Sequence, residues 1–200
     1  MKDFVYLASQ SPRRRQLLEQ LGVRYELLLP APHEDAEALE AVHDGELPRD
    51  YVERVTHAKL AAARQRMAAR GLTPAPILCS DTTVALGRRI LGKPADAREA
   101  ADMLHALSNR THRVLTAVAV SDHDRVHFAV SDSHVHFAPL PAEVIDAYVA
   151  SGEPFGKAGA YAIQSRIAGW IARIEGSHSG IMGLPLYETA QLLKQARVHF

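Results

Sequence analysis

Residues 4 to 21 constrain the fold most strongly. Phe4 to Ala8 is a short apolar run, Ser9, Gln10 and Ser11 are polar, and Pro12 opens a helical stretch that reaches about Leu21 before Gly22 ends it. A buried strand that turns directly into a helix has to lay that helix back against a sheet, so the segment predicts a layered α/β arrangement. The rest of the chain keeps the alternation. Val23 to Leu29 reads as a second strand, followed by a polar loop from Pro30 to Pro48 that holds a short helical piece. Asp50 with Glu53 predicts a capping box for a long helix from Tyr51 to about Arg70. Ile77 to Ser80 and Thr82 to Leu86 are strand-like, and Gly87 with Arg88 turns them into a hairpin that Lys93 and Pro94 close.

Asp96 and Glu99 predict a second capping box, ahead of a helix with Ala100, Met103, Leu104 and Leu107 on one face. Strands are expected from Arg113 to Val120 and Val126 to Phe137, joined at residues 121 to 124, with a helix from Pro141 to about Ala150 after them. Ile167 to Ile174 reads as a strand, residues 176 to 183 as a loop, and Pro185 to Lys194 as the last helix. With 200 residues, 47% of them hydrophobic, one domain over residues 1 to 200 is expected, with two lobes around a cleft.

Charge narrows the partners. Lys and Arg total 23 and Asp and Glu total 23, which gives no reason to expect a nucleic acid or an anionic membrane; any grip on an anion has to be local. No apolar run approaches the ~20 residues that span a bilayer. Cys79 is the single cysteine, so no internal disulfide forms, and without a secretion-type N-terminal stretch a cytoplasmic location is expected.

The local grip is suggested by Arg13, Arg14 and Arg15, which fall in the first turn of the helix that Ser11 caps and Pro12 begins. A helix N-terminus is already positive, and each cation there is disfavoured by about 0.3–1 kcal/mol. A phosphate chain held by backbone N–H groups, hydroxyls and guanidinium forks would offset that; three solvated arginines are the plainer alternative. Lys59 interrupts an apolar face made by Val52, Val55, Ala62 and Ala63, and either snorkels to solvent or points into a cleft. Asp81 stands inside strand-like residues, where a carboxylate is costly unless exposed, paired or bound to a cation. It fits a turn cap, a Mg²⁺ ligand or a base for attacking water.

Lys157 lies in the glycine-containing segment GEPFGKAGAYAIQ, which matches neither a P-loop nor a dinucleotide-binding fingerprint. Gln164 at its end can pair with backbone or, having both donor and acceptor, read a pyrimidine edge. His134 and His136 share a strand face, but no cluster of cysteines or carboxylates supports zinc, and a solvent-facing surface is expected.

Taken together, LASQSPRRRQLL, SDTTVALGRRILGKP, AADMLHALSNRTHRVLTAV, GEPFGKAGAYAIQ and GLPL resemble the Maf family of nucleoside triphosphate pyrophosphatases, from about Phe4 to Leu193. The resemblance implies an elongated mixed β-sheet flanked by helices, of the kind shared with ITPases, with a nucleotide cleft and a frequently dimeric assembly. It implies hydrolysis between the α- and β-phosphates in a house-cleaning role, dependent on a divalent cation such as Mg²⁺ or Mn²⁺. Asp81 matches the family's catalytic carboxylate; Ser9, Arg14, Lys59, Lys93 and Lys157 match the phosphate path; Glu34 matches a second acidic position and, with Asp81, a metal ligand. Arg13, Thr82 and Gln164 match positions that separate subgroups, and their residue types are similar to the dTTP/UTP subgroup. Asn109 replaces a common glycine, a change the left-handed tolerance of asparagine makes mild. A pyrophosphatase for 7-methyl-GTP or another modified nucleotide, and a non-hydrolysing nucleotide-binding regulator of septum formation, are the alternatives.

Overall fold

The computed structural model describes residues 2–32, 34–35, 37–123 and 125–200. His33 and Ala36 of the polar loop, and Asp124 of the turn expected at residues 121 to 124, lie outside the described residues. The chain forms a mixed α/β fold, and among the described residues its one sheet has seven strands in the order β2-β1-β3-β5-β6-β7, with β4 beside β3. In chain order these are β1 (Val5–Leu7), β2 (Tyr25–Leu27), β3 (Ile77–Leu86), β4 (Arg89–Leu91), β5 (Thr111–Asp122), β6 (Arg125–Phe137) and β7 (Ile171–Glu175). β1 runs parallel to both neighbours, and the remaining pairs are antiparallel. The helices are α1 (Pro12–Gln20), α2 (Pro48–Ala69), α3 (Ala97–Leu107), α4 (Ala142–Ala150), α5 (His178–Met182) and α6 (Leu186–Gln195). None is long and apolar enough to cross a membrane among the described residues.

Local chemistry accounts for most of the boundaries. The Asp96 carboxylate accepts the Glu99 N–H at 2.8 Å, and the Glu99 carboxylate accepts the Ala95 N–H at 2.7 Å, so the predicted capping pair starts α3. The other predicted box fails. α2 begins at Pro48, whose fixed φ suits the first helical position, and Asp50 lies inside the first turn, where it favours the helix dipole without capping. Ser11 does stand at the N-cap of α1 but makes no side-chain cap bond; instead the Ser11 N–H donates to the Ser9 hydroxyl at 3.2 Å. Asn109 has φ 54°, as its side chain tolerates.

Two segments differ from expectation. The first half of the strand predicted at Ile167 to Ile174 is a 3-10 turn, Arg166–Trp170, and only Ile171 onward pairs with β6. The loop predicted at residues 176 to 183 contains α5, capped by the Ser177 hydroxyl accepting the Gly180 N–H at 2.9 Å. Its short sequence lacks the two turns of periodicity that would mark a helix. His134 is exposed and His136 half-exposed on β6, the solvent-facing arrangement expected of them.

Among the described residues the core forms four buried clusters, two of them larger than the others. α3, α4 and the far ends of β5 and β6 bury Met103, Leu104, Leu107, Phe137, Ile145 and Tyr148 together. α1 and α6 pack with β1 and the near part of the sheet around Leu7, Leu18, Leu78, Val118 and Leu193. Each of the large residues in these clusters removes on the order of 1.5–3 kcal/mol of apolar exposure from water.

Candidate active site

The cleft arises from an interruption along one edge of β3. On that edge β1 pairs only with Ile77 and Leu78, the last bond being Ala8 N–H to the Leu78 carbonyl at 3.0 Å, and β4 pairs only with Val84 to Leu86. Cys79 to Thr83 therefore have no strand beside them there, while β5 pairs continuously on the other edge. Ser9 and α1 flank the gap where β1 stops, and Gly92 and Lys93 flank it where β4 ends. The resulting cavity is about 1070 Å³, in the range that holds a nucleotide, and its walls include Ser9, Arg13, Arg14, Glu34, Lys59, Asp81, Thr82, Lys93, Lys157 and Gln164. Every sequence-derived site residue thus borders one cavity.

Alternation along β3 sends Asp81 and Thr82 to opposite faces. Asp81 faces α2, where Lys59 donates to its Oδ1 at 2.5 Å. That contact settles the choice left open for Lys59: its ammonium points into the cleft. Thr82 faces α5, with its hydroxyl 3.0 Å from that of Thr116 and accepting from Arg14 Nη2 at 3.5 Å. Arg14 also donates from Nε to the Gly183 carbonyl at 2.8 Å and from Nη1 to the Ser9 hydroxyl at 3.2 Å. One guanidinium therefore ties the start of α1 to β3 and to the end of α5. Gly183, at φ +120°, turns its carbonyl to receive Arg14 and also Ser80 at 3.1 Å.

Cations and carboxylates are interleaved along the cleft, with Arg13, Arg14, Lys59, Arg66, Lys93 and Lys157 set against Glu34, Asp35, Glu37, Glu40 and Asp81. Burial lowers the Arg14 and Arg13 pKa values, and Lys157 is lowered first by burial and then by the nearby Arg13 charge. Each of these shifts signals charge held partly out of water, a state that a bound anion relieves. Lys157 donates to the Glu153 carbonyl within its turn, and Gln164 is exposed at the cavity wall.

Glu34, expected beside Asp81, is engaged differently. Arg66 forks it, with Nε 3.0 Å from both carboxylate oxygens and Nη2 2.6 Å from Oε2, while the Ala31 N–H donates at 2.9 Å. Led by the Arg66 hydrogen bonds, these hold its pKa down to about 2. The carboxylate next to Asp81 through Lys59 is instead Glu40, at the end of a 3-10 turn (Ala38–Glu40). Its Oε1 accepts from Lys59 and its Oε2 from Lys93, both at 2.7 Å. Burial acts to raise its pKa, but the two lysines outweigh that and hold it below the ordinary range. α2 anchors the turn: Tyr51 donates to the Glu40 carbonyl at 3.0 Å and Arg54 to the Ala41 carbonyl at 2.8 Å, with its fork also on Glu46.

Glu40 gave no signal in the sequence, because it is one acid among several in an aperiodic polar loop. Arg66 did leave one: it falls seven residues after Lys59 on the apolar face of α2, a second cation where solvent is scarce. Among the described residues no three His, Cys, Asp or Glu side chains gather as a ready-made metal cluster.

Comparison with known proteins gives the family. The chain matches the family described as Maf-like protein over residues 4–196. It is 68% identical to a dTTP/UTP pyrophosphatase of Polaromonas sp., over 97% of this chain and 96% of that protein. It is 64% identical to a dTTP/UTP pyrophosphatase of Cupriavidus metallidurans over the full length of both. With the dTTP/UTP pyrophosphatase of Burkholderia pseudomallei it shares 63% identity over 98% of this chain and 95% of that protein.

Proposed function

This chain belongs to the Maf-like protein family, and on that premise we propose that it hydrolyses dTTP and UTP to the nucleoside monophosphate and pyrophosphate, clearing such nucleotides in the cytoplasm. The observation that carries the reading is the convergence of Arg14, Lys59, Lys93 and Lys157 on a cavity with a single strand carboxylate, Asp81, at the interruption in the sheet. A polyanion satisfies those cations, and a strand carboxylate set among them is suited to act on water or a metal cation. The names carried by the relatives in three genera support pyrimidine nucleotides as the substrate.

In this reading the triphosphate lies along the cationic wall, with Ser9 and Arg14 at the α1 end and Lys93 at the β4 end. Asp81 orients a water and takes its proton as the oxygen attacks the α-phosphorus. The bond from that phosphorus to the bridging oxygen breaks, and pyrophosphate leaves with the added charge. Lysines 59, 93 and 157 balance that charge from fixed positions, which is the electrostatic preorganisation phosphoryl transfer relies on. Arg13, Thr82 and Gln164 also line the cavity, and this reading assigns them to the base, where the Gln164 amide suits the donor and acceptor edge of a pyrimidine.

A divalent cation fits the donor set. Mg²⁺ is commonly held by one or two carboxylates with phosphate oxygens and water completing the shell, and Asp81 provides one such hard ligand. Glu34 would have to share oxygens that Arg66 already forks. When bound, the cation would withdraw charge from the phosphate oxygens.

A pyrophosphate-release assay with dTTP, UTP, CTP and 7-methyl-GTP, with and without Mg²⁺ or Mn²⁺, tests the proposal. We expect dTTP and UTP to be preferred. Asp81→Asn should lower turnover by about 10³-fold or more with the fold intact. Near-normal turnover by that variant would remove Asp81 from its role, and a preference for 7-methyl-GTP would overturn the substrate assignment.

A further inference from the structure

We propose that Glu40 is a built-in substitute for substrate phosphate, occupying Lys59 and Lys93 in the free protein and giving way when a polyphosphate binds. The inference rests on the proposed nucleotide reading of the cleft. Its basis is a contact that the reading does not require: the two lysines assigned to the phosphate path are bridged by one carboxylate, one oxygen to each, at 2.7 Å. A carboxylate and a phosphate edge offer comparable pairs of anionic oxygens to two ammonium groups, so they compete for the same donors.

The surroundings fit exchange. Backbone acceptors on either side of Glu40 and its own carbonyl are held by Tyr51 and Arg54, so the turn stays on α2 while the side chain alone can swing. The lysines and Glu40 are partly exposed, with side-chain exposures of 17% for Lys59, 45% for Lys93 and 25% for Glu40. Ion pairs of that kind are weak enough for a triphosphate to displace. Without any anion, Lys59 and Lys93 would face each other beside Asp81 with incomplete compensation. Glu40 thus holds both ammonium groups in place before substrate arrives, at the cost of competing with it. The apparent affinity for a polyphosphate is reduced by the fraction of molecules in which Glu40 occupies the lysines.

The test is isothermal calorimetry with inorganic pyrophosphate in excess chelator, comparing the unaltered protein with Glu40→Gln and Glu40→Ala. Two partly exposed ion pairs correspond to a shift on the order of tenfold. We expect both variants to bind metal-free pyrophosphate about tenfold more tightly, and Mn²⁺ titrations followed by electron paramagnetic resonance to give the same Mn²⁺ affinity in all three. Unchanged or weaker pyrophosphate binding in the variants would overturn the proposal, and a loss of Mn²⁺ affinity would make Glu40 a metal ligand instead. These outcomes are separable from failure of the functional reading, because hydrolysis by the unaltered protein is measured independently of them.

Discussion

Replacing Gly159 by alanine probes the packing that sets the two ends of the phosphate path. Gly159 has φ +69°, and a Cβ built there lies 2.8 Å from Val84 Cγ1, 2.9 Å from its Cβ and 3.0 Å from its Cγ2. The left-handed conformation costs an alanine about 1–2 kcal/mol. Val84 is 3% exposed, is β-branched and sits between two paired strands, so it cannot turn aside; the overpacking adds about 1–3 kcal/mol. Reduced freedom in the unfolded chain returns about 0.4–1 kcal/mol. The net expectation is a loss of about 1–4.6 kcal/mol, read as a lower urea midpoint at unchanged slope. Activity should fall as well, by at least about tenfold, because the Gly159 N–H donates to the Gly92 carbonyl at 3.0 Å and so ties the Lys157 turn to the residue before Lys93. Val84→Ala should recover about 1–3 kcal/mol of the Gly159→Ala loss in the double variant, since it removes the clash but not the backbone strain. A Gly159→Ala protein within about 0.5 kcal/mol of the original, or strict additivity with Val84→Ala, would refute the reasoning.

Arg14→Lys keeps the charge but cannot span the Gly183 carbonyl, Ser9 and Thr82, so we expect a loss of about 1.5–3 kcal/mol in stability and a raised KM for dTTP, both read on one preparation. His112 is buried against Tyr161, with Nε2 2.7 Å from its hydroxyl, and burial lowers its pKa to about 4 from the usual 6.5. The unfolded chain therefore takes up the proton first, and this contribution to stability is complete above pH 6.5 and is lost as pH falls from 6.5 toward 4. Thermal melts across that window should show the decline, and His112→Gln, which can still bond Tyr161, should flatten it; an equal slope in both proteins would exclude His112 as the cause. Glu34 behaves in the same direction at lower pH: its contribution is present above about 4.5 and fades toward about 2, so Glu34→Gln should matter at pH 7 and not at pH 2.

Much of this protein was legible before any coordinates. Local rules placed α1 after β1, started α3 at its capping pair, and put Lys59 on the buried face of α2, because each depends on residues within a few positions of one another. The family motifs brought the site residues together as a set, and all of them border one cavity. The failed capping box at Asp50 was a local misreading, since Pro48 already opens α2, but the other misses turned on packing. α5 is too short to show periodicity and is held by Ser177 and by packing on β5 and β6; the 3-10 turn before β7 replaces strand where β6 no longer pairs.

Glu40 is the sharpest case, since nothing in an acidic loop distinguishes the one carboxylate that meets Lys59, 19 residues on, and Lys93, 53 residues on. The sequence by itself determined most of the element types, the cationic character of the segment after β1 and the presence of Asp81 in a strand. Only the tertiary structure decided that this strand has an unpaired stretch there, because along one edge of β3 the gap lies between the end of β1 and the end of β4. Strand register is a property of partners, and a cleft made by missing partners cannot be written in any single segment.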